Sequence, residues 1–137
     1  MAKVVVLGTG GTIASRVDPG TGHAVAAATG AELVEIMRVC GHAVPSEVGL
    51  TVEQFCNISS FRFDLELAFR IAWRAGEIVA GPEVLGVVVT QGTDTMEESS
   101  YLADLVVGSD KPVVFTGTQR HADEPDSDGP RNLGLTP

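Results

Sequence analysis

Three short apolar runs constrain the fold more than any other feature. Residues 4–7 read VVVL, residues 84–90 read VLGVVVT, and residues 112–117 read PVVFTG. They are apolar at consecutive positions rather than alternate ones. Such strands suit a parallel sheet with both faces covered. A further extended segment is expected at residues 51–58. Helix signals fall between the strands. Thr29 and Glu32 have capping-box spacing, Leu33, Ile36, Met37 and Cys40 follow at helical intervals, and Gly41 ends the run. Asp64 can cap a second helix with a predicted buried stripe of Leu65, Ala68, Phe69, Ala72, Trp73 and Gly76. Gly81 and Pro82 break it. Thr95 and Glu98 form a second candidate capping box, opening a helix to about Val107. Strand and helix alternate throughout, which predicts a three-layer α/β fold: an open parallel sheet with flanking helices. Residues 15–28, with Pro19, Gly20 and Gly22, read as a mobile loop. From Arg120 to Pro137 the chain reads as polar loop with no further helix or strand.

Charge narrows the partners. The 137 residues carry 9 basic and 18 acidic side chains, a formal net charge of −9. Nucleic acid and anionic membrane surfaces both reward the opposite sign. A small molecule held in a cleft is the expected partner. Cys40 and Cys56, sixteen positions apart with no histidine at ligand spacing, read as partly buried free thiols. No metal site is expected. The apolar stretch after Met1 is too short for a signal peptide or a membrane span, so a cytoplasmic protein is expected.

In an open parallel sheet, ligands bind beyond the carboxyl ends of the strands. Four stretches lie there and should converge: GTGGTIAS at 8–15, NISSF at 57–61, TQGTDTMEES at 90–99 and TGTQRHADEPDSDGP at 116–130. The glycines of the first invite a phosphate reading. However, the G-x-G-x-x-G pattern would need glycine where Ile13 stands, and there is no Walker sequence. Alternatively, Gly8, Gly10 and Gly11 admit a substrate close to the backbone, and the turn presents Thr12 as a nucleophile. The first stretch alone does not decide whether Thr12 reacts or only hydrogen-bonds within its own loop. Thr93 and Asp94 at the third strand end favour chemistry, because two hydroxyls and a carboxylate there are more polar chemistry than a turn needs. Asp94 suits a substrate ammonium. Glu97 and Glu98 are accounted for by the helix dipole.

TGGTIAS at 9–15 and TQGTDTMEES at 90–99, supported by KPVVFTGTQR at 111–120 and DGPRNL at 128–133, resemble the bacterial-type L-asparaginase/glutaminase family. The resemblance implies a flavodoxin-like N-terminal domain and hydrolysis of L-asparagine, and sometimes L-glutamine, without a cofactor. It assigns Thr12 as the nucleophile that forms an acyl-enzyme. Thr93 and Asp94 would form a second group with a lysine, and Asp94 would also hold the α-ammonium. Ser60 matches a serine that grips the α-carboxylate. Gly11 and Gly92 would line the substrate, with N–H donors from Gly11 and Thr12. Full-length relatives are expected to be homo-oligomers.

The chain also departs from the family pattern. Studied members have a tyrosine in the loop that corresponds to residues 15–28; here the only tyrosine is Tyr101, and His23 lies in that loop instead. Phe61 stands where they have glutamine. Neither Lys3 nor Lys111 matches the family's lysine. Residues 1–137 therefore read as an incomplete, truncated N-terminal domain without a C-terminal domain, and little or no activity is expected of them alone. A non-catalytic domain that binds an amino acid or nucleotide is the alternative.

Overall fold

The computed structural model describes residues 1–42 and 44–134. Strand β1 (Lys3–Gly8) leads through a 3-10 turn at Thr12–Ala14 into β2 (Ser15–Val17) and β3 (Ala24–Ala26). Then come α1 (Gly30–Val39), β4 (Gly49–Gln54), α2 (Leu65–Val79), β5 (Val84–Thr90), α3 (Met96–Val106), β6 (Val113–Thr116) and α4 (Gly129–Gly134). The main sheet has the order β4-β1-β5-β6, parallel throughout. β1 is central, which accounts for its unbroken apolar run.

Successive residues of β1 point to opposite faces, and each face has its own core. Val6 packs with Val88, Leu33, Val34, Met37 and Leu133, under α1 and α4. Val5 and Leu7 pack with Val87, Val89, Ile71, Ala75 and Val79, under α2. α3 lies beside α2. The expected three-layer parallel architecture is present.

Local expectations fared unevenly. The Thr29–Glu32 capping box forms as expected: Thr29 Oγ1 accepts from the Glu32 N–H at 3.3 Å, and Glu32 accepts from the Thr29 N–H at 2.7 Å. Asp64 caps α2 by accepting from the Leu67 N–H at 2.8 Å. The second box does not form. Thr95 makes no side-chain cap, and its hydroxyl donates instead to the Ser60 carbonyl at 3.2 Å. Residues 15–28 are not simply a loop. They form the antiparallel β2–β3 hairpin, whose tip is tied by Asp18 Oδ1 accepting from the N–H groups of Gly20 and Thr21. The second main strand is Gly49–Gln54 rather than 51–58, and the polar tail contains the short helix α4. Residues 135–137 lie outside the described residues. Cys40 is exposed, unlike the half-buried Cys56.

The largest correction concerns α2. Its buried face is Ile71, Ala72, Ala75 and Val79, while Leu65, Phe69 and Trp73 face outward. Among the described residues no helix is long and apolar enough to cross a membrane.

Arg74 of α2 clamps the edge strand. Its Nε and Nη2 donate to the two Glu53 carboxylate oxygens of β4 at 2.7 and 2.8 Å, and Nη1 donates to Glu77 at 2.9 Å. The Arg74 hydrogen bonds hold Glu53 below its ordinary value of 4.5, against a smaller upward push from burial. A carboxylate depressed on folding adds stability above its unfolded value and loses it as pH falls through the folded one. The stability gap between wild type and Glu53→Gln is therefore expected to close as pH drops below about 4.5. Urea unfolding at stepped pH measures it; a gap independent of pH would remove the clamp from the account.

Candidate active site

The site begins with three segments packed too closely for side chains. Gly10 and Gly11 have φ of 104° and 85°, a region that favours glycine. A Cβ on Gly10 would lie 2.5 Å from the Ile58 nitrogen, and one on Gly11 would lie 2.1 Å from the Gly92 nitrogen. A Cβ on Gly92 would in turn lie 2.3 Å from Ser60 Oγ. The first turn is thus wedged between the loops that follow β4 and β5. Backbone bonds fix it there. The N–H and hydroxyl of buried Thr9 both donate to the Thr90 carbonyl, at 3.1 and 2.7 Å, and the Ile58 N–H donates to the Thr9 carbonyl at 3.0 Å.

The fourth segment joins through the opening turn. The Ala122 N–H donates to the Ser15 carbonyl at 2.8 Å, and Asp123 accepts from the Val17 N–H at 3.0 Å. Asp128 organises this segment by accepting from the N–H groups of Gln119 and Arg120 and from Asn132 Nδ2. Burial pushes the Asp128 carboxyl up, but these hydrogen bonds together hold it below the ordinary carboxylate range. All four strand-end segments therefore meet at the carboxyl end of the sheet.

Thr12 opens the 3-10 turn and is partly exposed. Its hydroxyl makes no hydrogen bond among the described residues. The bond within the turn comes instead from Ser15, which donates to the Gly11 carbonyl at 2.9 Å. Thr93 and Asp94 lie in a second 3-10 turn and are exposed. Ser60 is buried, and its hydroxyl is fully engaged with Asp94. It donates to Asp94 Oδ2 at 2.7 Å and accepts from the Asp94 N–H at 3.2 Å. The structure thus joins Ser60, Gly92 and Asp94 directly, and brings Gly11 against Gly92, with Thr12 and Thr93 the next residue along each chain.

Gln91 and Thr95 were not singled out as site residues from the sequence. Gln91 is buried within the third segment; its Nε2 donates to Ser99 at 2.9 Å and Thr95 at 3.3 Å, while its Oε1 has no partner among the described residues. Thr95 passes the connection to Ser60. Their only signal in the sequence was polarity beside Gly92 at the end of an apolar strand. Burial pushes the Cys56 thiol up, with Arg70 opposing, and its Sγ donates to the Thr9 carbonyl at 3.3 Å. The lysines are engaged elsewhere. Lys3 pairs with Glu83 at 3.2 Å, and Lys111 donates to the Val79 and Gly81 carbonyls, at the opposite end of β5 from Thr93. His23 sits exposed in the β2–β3 hairpin, and Phe61 is exposed next to Ser60.

Gly11→Ala is expected to destabilise the fold by well over about 1 kcal/mol, through strain plus collision. Gly22→Ala is the control: its φ is 70°, but nothing lies within 4 Å of the added carbon. Equal losses for the two in urea unfolding would show that the close approach is not a constraint.

Comparison with known proteins bears on the family and the fold. The family model described as Asparaginase, N-terminal matches residues 3–135. The L-asparaginase 2 of Bacillus subtilis is 35% identical over 133 residues, covering 97% of this chain and 35% of the relative. The glutaminase-asparaginase of Acinetobacter glutaminasificans is 35% identical, with 96% and 39% covered. The crystal structure of a probable cytoplasmic L-asparaginase from Campylobacter jejuni superposes with a TM-score of 0.80 at 35% identity, covering 98% of this chain and 40% of that one. The chain thus spans less than half the length of each. A match across almost all of its residues, with the same fold, shows that the chain belongs to the asparaginase family.

Proposed function

We propose that this chain carries the substrate-contacting first part of an amide hydrolase acting on L-asparagine, and on L-glutamine as a second substrate. The observation that carries the reading is the packed junction of Gly11, Gly92 and Ser60, which sets Thr12 and Asp94 beside one another's segments. The names of the relatives support the substrate class.

The chemistry follows from the groups. An α-amino acid offers an ammonium and a carboxylate on one carbon. The ammonium binds Asp94 and replaces the proton that Ser60 now donates there. The freed Ser60 hydroxyl turns to the carboxylate. One substrate group thus compensates for the bond the other displaces. The Thr12 oxygen attacks the side-chain amide carbon, forming a C–O bond, and the N–H groups of Gly11 and Thr12 receive the developing oxyanion. The carbon–nitrogen bond then breaks, and the Thr12 proton leaves with the nitrogen as ammonia. Water cleaves the ester, giving L-aspartate or, from glutamine, L-glutamate. Thr93 stands on the opposing segment to relay the proton.

A second reading is binding with little turnover. It is favoured by the position of Lys3 and Lys111 at the far end of the sheet, which leaves Thr93 without a lysine among the described residues.

Ammonia release from L-asparagine is the direct test, with L-aspartate titration followed by amide NMR alongside it. Thr12→Ala is expected to cut any turnover roughly a thousandfold or more while leaving L-aspartate shifts in place. Asp94→Ala is expected to abolish both. Undiminished ammonia release from Thr12→Ala would remove it as nucleophile. Binding lost in Asp94→Ala, with no turnover in wild type, would favour the second reading.

A further inference from the structure

We infer, resting on the function proposed above, that Thr95, oriented by Gln91, is a positioning residue that holds the Ser60 turn against the Asp94 turn while an α-amino acid occupies both. Among the described residues three hydrogen bonds join these turns. Ser60 Oγ donates to Asp94 Oδ2 at 2.7 Å and accepts from the Asp94 N–H at 3.2 Å. Thr95 Oγ1 donates to the Ser60 carbonyl, also at 3.2 Å. The first two share the Ser60 hydroxyl, so both are given up when that hydroxyl rotates onto a substrate carboxylate. The third uses the Ser60 carbonyl, which neither substrate group needs. Steric contact does not replace it. The close approach of Gly92 to Ser60 sets how near the turns can come, but not how far they can part. With substrate bound, the Thr95 hydroxyl is the remaining tie.

Gln91 fixes the direction of that tie. A threonine hydroxyl has one proton to give. Thr95 gives it to Ser60, so towards Gln91 its oxygen can only accept. Gln91 meets it with the amide nitrogen, at 3.3 Å, and gives a second proton to Ser99 at 2.9 Å. The reversed amide would set Oε1 against Thr95 Oγ1 and draw the proton away from Ser60. The orientation present leaves Oε1 buried without a partner among the described residues, a cost that an apolar side chain filling the same space would not carry. That cost secures a donor facing Thr95. The donor is also firmly seated: Gln91 and Ser99 are both buried, one directly after β5 and the other in α3. Groups held on regular elements in this way position a site more tightly than loop contacts alone.

The test is titration of L-aspartate into the 137-residue chain, followed by amide NMR, with urea unfolding of each variant measured in its absence. Thr95→Val keeps the side-chain shape and removes the hydroxyl. It is expected to weaken L-aspartate binding about tenfold, while the urea midpoint moves little because both bonds between Ser60 and Asp94 remain in the unbound protein. Thr95→Ser keeps the hydroxyl and is expected to bind as wild type does. Gln91→Met is expected to weaken binding too, and adding it to Thr95→Val to weaken binding no further, because Gln91 acts through Thr95. Equal affinities of Thr95→Val and wild type would overturn the inference. So would equal weakening in Thr95→Val and Thr95→Ser, or a loss of stability without a loss of affinity, the mark of a purely structural bond. A double variant weaker than Thr95→Val would detach Gln91 from the role. Wild type that shows no L-aspartate shifts would remove the proposed function and this inference together, whereas unimpaired binding by Thr95→Val removes this inference alone.

Discussion

The arrangement of the segments at the carboxyl ends of the strands depends on one steric fact: the backbones of Gly11 and Gly92 lie where no Cβ fits between them. β1 and β5 are neighbours that keep one register from Val4 to Gly8, with Gly8 opposite Thr90. Beyond that point the two chains would ordinarily splay apart into turns. Here they stay together, because a left-handed glycine turns the first chain without a side chain to push the second away. The doubled bond from Thr9 to the Thr90 carbonyl then locks them. Ser60 closes the third side. The loops are therefore positioned by backbone contact, a stiffer arrangement than contact through flexible side chains.

The sheet was legible in the sequence because a buried parallel strand has a composition of its own. Residues 84–90 and 112–117 are apolar in succession, and few other structures ask for that. The site segments were legible through their glycines and hydroxyls at strand ends. The α2 face was not. Periodicity reports that Leu65, Phe69 and Trp73 share a side, but it is silent on which side meets the sheet. Ile71, Ala75 and Val79 make an equally regular stripe of smaller residues, and the close approach of helix to sheet selects the smaller set. Thr95 was misread for a related reason. Its spacing to Glu98 fits a cap, but the Ser60 carbonyl, thirty-five residues away in sequence, competes for its hydroxyl and wins. The β2–β3 hairpin and α4 were missed because both are short, and each is held by contacts to distant segments through Ser15, Asp123 and Leu133.

Charge is distributed by task. Arg74 holds a helix to the edge strand through a bidentate pair with Glu53, a geometry that lysine could not reproduce. Lys111 secures the far end of the sheet by binding carbonyls at the end of α2. The strand ends that form the site keep Asp94 exposed on a short 3-10 turn, held by a serine rather than by a cation. A carboxylate held by a neutral hydroxyl keeps its charge uncancelled, as the proposed function requires of Asp94, whereas one held by arginine would not.

The bond from Thr9 to Thr90 spans 81 positions, and it has a consequence for the order in which the molecule comes into being. Thr12 is synthesised well before β5, yet the turn that shapes it has nothing to lean on until β5 has been made and has paired with β1. Closing so long a loop costs entropy before any contact repays it. The carboxyl ends of the strands are therefore assembled only after β5 is made, and until then a nascent chain presents the glycines at 8–11 as a pliable segment.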